Sequence, residues 1–262
     1  MTLDAAHASA LADAIYDARR TRVAIPPITE GRDGLTLEDA YLVQQGVVRR
    51  YLDDGDRIVG YKLGLTSKPM QEMLGVGSPD FAPVMASHVH TDGAEVRAAD
   101  YIAPKLEAEI ALVLGEDLSG PDCTPLDVIR ATEGVVAALE LVDSRIADWR
   151  ISLVDTVADM ASSGAIVVSG RPVPVDEVDL RLLGMAFTRG GQVIATGAGA
   201  AALGDPAAAV AWLVRTLHPF GAVLPAGSLV MTGALNAAVP IAAGETYRAE
   251  FDHLGPVTVR IV

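Results

Sequence analysis

Residues 104–114 read Pro104-Lys105-Leu106-Glu107-Ala108-Glu109-Ile110-Ala111-Leu112-Val113-Leu114. The run passes from charged to apolar residues, as expected of a strand entering a core. Side chains at i and i+2 of a strand share a face. Glu107 and Glu109 therefore point the same way, a few ångströms apart. Two carboxylates so placed repel each other, and an apolar setting makes the repulsion worse. The arrangement is stable if one is protonated, if basic residues pair with both, or if a cation sits between them.

A third carboxylate stands in Val135-Val136-Ala137-Ala138-Leu139-Glu140-Leu141-Val142. A glutamate buried there without a partner is expensive. Glu107, Glu109 and Glu140 together suit a hard, oxygen-seeking cation, Mg²⁺ or Mn²⁺. The competing reading puts Glu107 or Glu109 on the solvent side of an edge strand and pairs Glu140 with Arg145 or Lys105. Upstream, Gly60-Tyr61-Lys62-Leu63-Gly64 sets a lysine in an apolar, glycine-flanked stretch. A partly buried ammonium there holds a carboxylate or transfers protons; the alternative is a snorkelling surface lysine. Asp80, after Ser78-Pro79, reads by itself as a turn residue.

The rest of the chain supplies the frame. Residues 4–20 carry Leu11, Ile15 and Ala18 at helical spacing. After the break at Pro26-Pro27 and Gly31, Thr36 starts a second helix, with Asp39 completing a capping box and Val43, Val47 and Tyr51 as its apolar stripe. Beyond this arm, short β-rich runs alternate with Gly and Pro. Ala165–Val168 and Leu229–Thr232 read as buried strands. Arg189-Gly190-Gly191 and His253-Leu254-Gly255 read as hairpin turns. Helices are expected at 125–134 and at 206–217, the latter capped by Asp205 with Pro206 at its first position. The pattern is α+β, with an N-terminal helical arm over residues 1–58 and a β-rich catalytic core over 59–262.

Bulk properties narrow the function. The formal net charge of −14 argues against nucleic acid or an anionic membrane as partner. An acidic protein that binds an acidic substrate needs a local positive site, which a metal ion or a lysine provides. One cysteine, Cys123, excludes an intrachain disulfide, and no histidine is matched to it as a nucleophile's partner. There is no secretory pattern and no apolar run of about 18 residues, so the chain reads as soluble and cytoplasmic. His88-x-His90 lacks a third ligand for a metal site. Gly197-Ala198-Gly199-Ala200-Ala201-Ala202 matches a relaxed dinucleotide fingerprint but reads better as a packed turn, since no acidic residue closes a second strand about 20 residues on.

Six ordered blocks together resemble a known family: Lys62-x-Gly64-Leu65-Thr66-Ser67, Pro79-Asp80-Phe81, Pro104-Lys105-x-Glu107-Ala108-Glu109-Ile110-Ala111, Ala138-Leu139-Glu140-x-x-Asp143-Ser144-Arg145, Asp155-Thr156-Val157-Ala158-Asp159-x-Ala161-Ser162-Ser163-Gly164 and Thr232-Gly233-Ala234-Leu235. They resemble the 2-oxopent-4-enoate (2-hydroxypenta-2,4-dienoate) hydratases and the related 4-oxalocrotonate decarboxylases of the fumarylacetoacetate hydrolase superfamily. The match runs from about residue 36 to the C-terminus. The resemblance implies a mixed β-sandwich roll preceded by helices. It implies Glu107, Glu109 and Glu140 as metal ligands, Lys62 and Asp80 as catalytic residues, and Ser162 and Thr232 in blocks lining the substrate pocket. It further implies a small 2-oxo acid substrate and a homo-oligomer that can associate with a related decarboxylase or hydratase. Three departures bear on substrate and reaction. Met160 stands where the family usually has Asn, at an expected pocket wall. Ala82-Pro83 stand where Gly is usual, and Asp205 replaces a usual His. The expected reaction is hydration of a 2-hydroxy-2,4-dienoate. The alternatives are decarboxylation, acylpyruvate hydrolysis through a Glu–His pair involving His88 or His90, and a scaffold subunit that keeps the fold and metal without turnover.

Overall fold

The computed structural model describes residues 3–262. Helix α1 (Ala5–Thr21) is capped by Asp4, whose side chain accepts the His7 N–H. Helix α2 (Leu37–Asp53) opens on the expected capping box of Thr36 and Asp39. The chain then enters β1 (Ile58–Gly64), α3 (Lys68–Leu74), β2 (Asp80–Met85), β3 (Val89–Thr91) and β4 (Ala94–Val96). Next come β5 (Lys105–Leu114), α4 (Pro125–Ala131), β6 (Thr132–Val142), α5 (Leu153–Ala158) and β7 (Ser163–Val168). The hairpin β8 (Gly184–Arg189) and β9 (Gln192–Ala198) leads to α6 (Pro206–Leu217), β10 (Leu229–Ala234) and β11 (Val239–Pro240), and β12 (Thr246–Phe251) and β13 (Gly255–Ile261) close the chain.

The strands form two sheets. One is eight-stranded, ordered β2-β1-β10-β5-β6-β7-β3 with β11 also on β5; the other is five-stranded, ordered β4-β13-β12-β8-β9. Strand β5 is thus central. Alternation on it divides the molecule: Leu106, Ala108, Ile110, Leu112 and Leu114 join the main core with Phe187, Tyr247, Val257 and α6, while Lys105, Glu107 and Glu109 face the other way. Each fully buried Leu or Ile there contributes roughly 1.5–3 kcal/mol. The helical arm is not free-standing. Ala12, Ile15, Val43 and Val47 pack with Ala82, Met85, Ile146, Val157 and Met160 in a second core. Gln44 of α2 donates to the carbonyls of Phe81 and Val157.

Most expected elements are present, with two shifts. The helix expected over 125–134 stops at Ala131, because Thr132 is extended (φ −85°, ψ 119°) and opens the eleven-residue β6. The β-branched Thr132, Val135 and Val136 favour the strand there. Ile58, placed at the end of the arm, already belongs to β1. Asp205 does cap α6, accepting the Ala207 N–H.

Candidate metal centre and active site

Antiparallel pairing of β5 with β6 sets Glu107 directly opposite Glu140, and Glu109 opposite Ala138. Non-local register thus brings the third glutamate to the same-face pair. One carboxylate oxygen from each of Glu107, Glu109 and Glu140 lies within 4.8 Å of the others. Glu109 and Glu140 are buried, and Glu107 is half-buried at the edge of the cavity.

Strand β10 holds the group from the other side of β5. Its register slips between Met231 and Ala234, a β-bulge at Thr232-Gly233. The bulge turns the Gly233 N–H onto Glu109 Oε2 at 2.9 Å. Gly233 has φ +113°, and a Cβ there would fall 2.0 Å from Thr66 Oγ1, so only glycine fits. The same bulge takes Thr232 out of the pocket. Its hydroxyl donates to the Ile110 carbonyl at 2.8 Å, and its side chain is fully buried and absent from the cavity wall. Of its block, Ala234 and Leu235 line the cavity and Thr232 does not.

Lys62 comes from β1, beside β10, and is buried rather than snorkelling. Its ammonium donates to the Ala161 carbonyl at 2.8 Å and lies 3.3 Å from Glu140 Oε1. Glu140 therefore pairs with Lys62 and not with Arg145 or Lys105. Arg145 is instead bound to Asp159, and Lys105 lies over the Trp149 ring, 3.9 Å from its centroid. Asp80 is no turn residue. It opens β2 opposite Gly64, and a Cβ on Gly64 would come 2.2 Å from Asp80 Oδ1. The Gly64 in the lysine block is therefore the space that the Asp80 carboxylate occupies.

These groups meet at a cavity of about 510 Å³, lined among others by Lys62, Asp80, Lys105, Glu107, Glu109, Trp149, Thr156, Ser162 and Asn236. Ser162 lies at its wall, with its hydroxyl 3.2 Å from that of Thr156. Met160 does not: it faces the second core among Ile15, Val47, Tyr51 and His88. A side chain at this position bears on the seat of the helical arm and not on the wall of the cavity. Ala82 is buried across from Lys62 on β2, and Asp205 serves as the α6 cap. Neither lines the cavity. No histidine does so among the described residues, and His88 packs edge-on against Tyr51. The Gly197–Ala202 stretch is the end of β9 and a single helical turn, and no helix among the described residues is long and apolar enough to cross a membrane.

Electrostatics mark the group as incomplete by itself. Burial, reinforced by Glu140, pushes the Glu107 carboxyl up to about 7. Burial and the neighbouring carboxylates push Glu109 far up, and burial raises Glu140 against the pull of Lys62. Burial also lifts Asp80 to about 6, with Lys62 opposing. At Lys62 burial works against the charge, but Glu140, Asp80, Glu109 and Glu107 outweigh it and hold the ammonium protonated. Asp80 Oδ1 and Glu109 Oε1 are buried without a hydrogen-bond donor, and the buried Glu140 oxygens face only the Lys62 ammonium, 3.3 Å from Oε1. Three converging carboxylates, two of them with unpartnered oxygens, could hold a hard divalent cation.

Sequence reasoning missed Thr156, Trp149 and Asn236. Asn236 sits at the wall by accepting the Ala108 N–H at 2.9 Å. Trp149 has φ +54°, next to Asp148 at +58°, a backbone reversal that nothing in the residue types announces.

The fumarylacetoacetate (FAA) hydrolase C-terminal family matches residues 62–262. The 2-keto-4-pentenoate hydratase 1 of Dechloromonas aromatica is 45% identical over 230 residues, covering 87% of this chain and 88% of its own. The 2-hydroxyhexa-2,4-dienoate hydratase of Comamonas testosteroni is 40% identical over 248 residues, 94% of each chain. Among solved structures, the 4-oxalocrotonate decarboxylase from Pseudomonas putida G7, complexed with magnesium and adipate, superposes with a TM-score of 0.97 at 38% identity, covering 100% of this chain and 99% of that one. The two-sheet architecture, the carboxylate triad on β5 and β6, and these likenesses agree: the chain belongs to the fumarylacetoacetate hydrolase family.

Proposed function

We propose that this protein is a divalent-metal-dependent hydro-lyase that hydrates a 2-hydroxy-2,4-dienoate to a 4-hydroxy-2-oxo acid, in the breakdown of aromatic compounds. The observation that carries the reading is the convergence of three glutamates, a fixed ammonium and a protonatable aspartate beside one cavity. Glu107, Glu109 and Glu140 would hold the cation, Mg²⁺ or Mn²⁺, which supplies Lewis-acid polarisation to a 2-oxo acid. The relatives named above as hydratases, and the magnesium in the decarboxylase, support both halves of the reading.

The protein's own groups divide the remaining work. Hydration needs a proton delivered to the far carbon of the diene, a water added at the adjacent carbon, and a proton returned beside the carbonyl. Asp80, raised to about 6 with one oxygen unpartnered, changes protonation near neutral pH, as a general acid–base group must. Lys62 stays charged and anchored, so it stabilises negative charge developing on the substrate oxygen. Lys105, held over Trp149 and without an ion-pair partner among the described residues, offers the substrate acid a cation. Leu65, Met70, Val142, Ile151 and Leu235 line the same cavity and accept the hydrocarbon part.

Decarboxylation is the second reading, favoured by the likeness to 4-oxalocrotonate decarboxylase. Hydrolysis of an acylpyruvate through a Glu–His pair lacks its histidine at the cavity. The test supplies 2-hydroxypenta-2,4-dienoate and, separately, 4-oxalocrotonate, each with Mg²⁺ or Mn²⁺. Loss of diene absorbance with formation of the 4-hydroxy-2-oxo acid is expected. CO₂ release from 4-oxalocrotonate without hydration of the dienoate overturns the proposal in favour of the decarboxylase. Metal binding with no turnover of either marks a scaffold subunit. The reading extends to self-association. Val59, Val113, Val168 and Leu229 on the cavity-side face of the larger sheet are only partly covered, and a second copy, or a related decarboxylase or hydratase subunit, would pack there. Sedimentation of the pure protein tests for the homo-oligomer.

A further inference from the structure

Met160, Ala161 and Ser162 are three successive non-glycine residues in the left-handed region, at φ +54°, +49° and +54°. L-residues visit that region singly and at a cost, so such a run persists only where its surroundings hold it. What holds it is Arg145. Its guanidinium donates to the Asp159 carboxylate and the Asp159 carbonyl. It donates also to the carbonyls of Asp143 at 2.6 Å and Ser163 at 2.7 Å. The residues on either side of the turn, Asp159 and Ser163, are thus bound to one buried, planar group. The product of the contortion is the Ala161 carbonyl, aimed at Lys62 Nζ 2.8 Å away.

We propose that the Met160–Ser162 turn, clamped by Arg145, is a positioning device that fixes the Lys62 ammonium against Glu140 and the cavity. A lysine has a flexible four-carbon stem and a rotatable ammonium. The Ala161 carbonyl takes one of its three protons and Glu140 faces a second, which directs the third. Arg145 and Ala161 are positioning residues: Arg145 lies off the cavity, and Ala161, at its wall, acts through its carbonyl on Lys62. The kinetic part of the inference rests on the hydratase reading above, and the labelling part does not.

Ala161→Gly tests it without emptying the core, since glycine adopts the left-handed region freely and frees the turn to sample other conformations. Two readouts are taken on the Mg²⁺-loaded protein. One is reductive methylation of Lys62, by peptide mass spectrometry, with exposed Lys68 as the internal control. The other is kcat and KM on 2-hydroxypenta-2,4-dienoate. The melting temperature should stay within a few degrees of the parent. Lys62 methylation should accelerate roughly tenfold over Lys68, and kcat should fall roughly tenfold at unchanged KM, because small misplacements of a reacting group carry such penalties. Arg145→Lys keeps the charge but not the fork, and should expose Lys62 likewise; unchanged labelling in a folded Arg145→Lys overturns the clamp. Parent-like labelling and kcat in Ala161→Gly overturn the proposal, as does a loss of kcat that only tracks a lowered melting temperature. Should the parent itself leave the dienoate untouched, the hydratase reading fails and the labelling ratio still decides the turn.

Discussion

Replacing Lys62 by Met keeps the apolar stem and deletes the charge 3.3 Å from Glu140 Oε1. At an effective dielectric constant of about 20 that pair attracts by about 5 kcal/mol. Breaking a buried pair from one side leaves the other charge uncompensated and costs roughly 3–5 kcal/mol. In a chain of this size the loss corresponds to a melting temperature lower by about 10 °C. In the proposed site the metal and the ammonium would neutralise the same carboxylate. The drop in Lys62→Met should therefore be large in EDTA and mostly restored by saturating Mn²⁺, so that the metal stabilises the variant more than the parent. Protonation of Glu140 is the other route to neutrality, so the melts are run at about pH 8. Turnover of the dienoate should be lost in either condition. An equal drop in EDTA and in Mn²⁺ would falsify the assignment of Glu140 as a ligand, since a coordinated carboxylate cannot remain the uncompensated charge.

Other outcomes follow from the same geometry. Glu107, with a folded value of about 7 against an ordinary 4.5, contributes stability that is complete below about 4.5 and lost as pH rises through about 7; Glu109, raised well above its ordinary value, acts in the same direction. The gain in melting temperature on adding Mn²⁺ should therefore grow from about pH 5.5 to pH 8, and a flat gain over that range refutes the triad as the site. Activity should fall on the acid side near 6 as Asp80 takes up its proton, read from kcat/KM against pH. Lys105→Met removes the cation over Trp149 and should raise KM roughly tenfold with kcat little changed, since a charge-assisted contact to the acid contributes about 1.5–3 kcal/mol; an unchanged KM excludes it from substrate binding. Gly233→Ala forces a Cβ to 2.0 Å from Thr66 Oγ1 at φ +113° and should cost several kcal/mol, with weaker Mn²⁺ binding because the Glu109 donor moves. Calorimetric titration and thermal melts check both parts.

What the sequence discloses about this site is what lies along one strand. Period-two alternation puts Glu107 and Glu109 on one face, and the apolar run around Glu140 makes its burial legible. The partner of Glu140 was not legible, because cross-strand register and the β1–β10–β5 order are properties of the folded sheet. Arg145, five residues on in the chain, is claimed by Asp159, and Lys62 takes its place from a distant strand. The misplaced residues share one cause. Thr232 sits in a bulge and Met160 in a left-handed turn, where side-chain direction no longer follows from spacing. Asp205 is needed where the helix begins, so its identity reflects capping and not the cavity. Helical spacing and the Thr36–Asp39 capping box make the two helices of the arm legible, yet their packing against Met160 depends on contacts that no local pattern encodes.

Strand β5 carries two incompatible jobs on alternate residues, with charge on one side and the central hydrophobic slab on the other. A change of length by a single residue between Lys105 and Leu114 would exchange the sides, driving two glutamates into the slab and leucines into the cavity. Point substitutions along this strand are local events, but insertions and deletions there are all-or-nothing. Diversification of this protein by changes in length is therefore confined to its connections, such as the largely exposed stretch 119–122, and the chemistry of the proposed metal site can be altered only one side chain at a time.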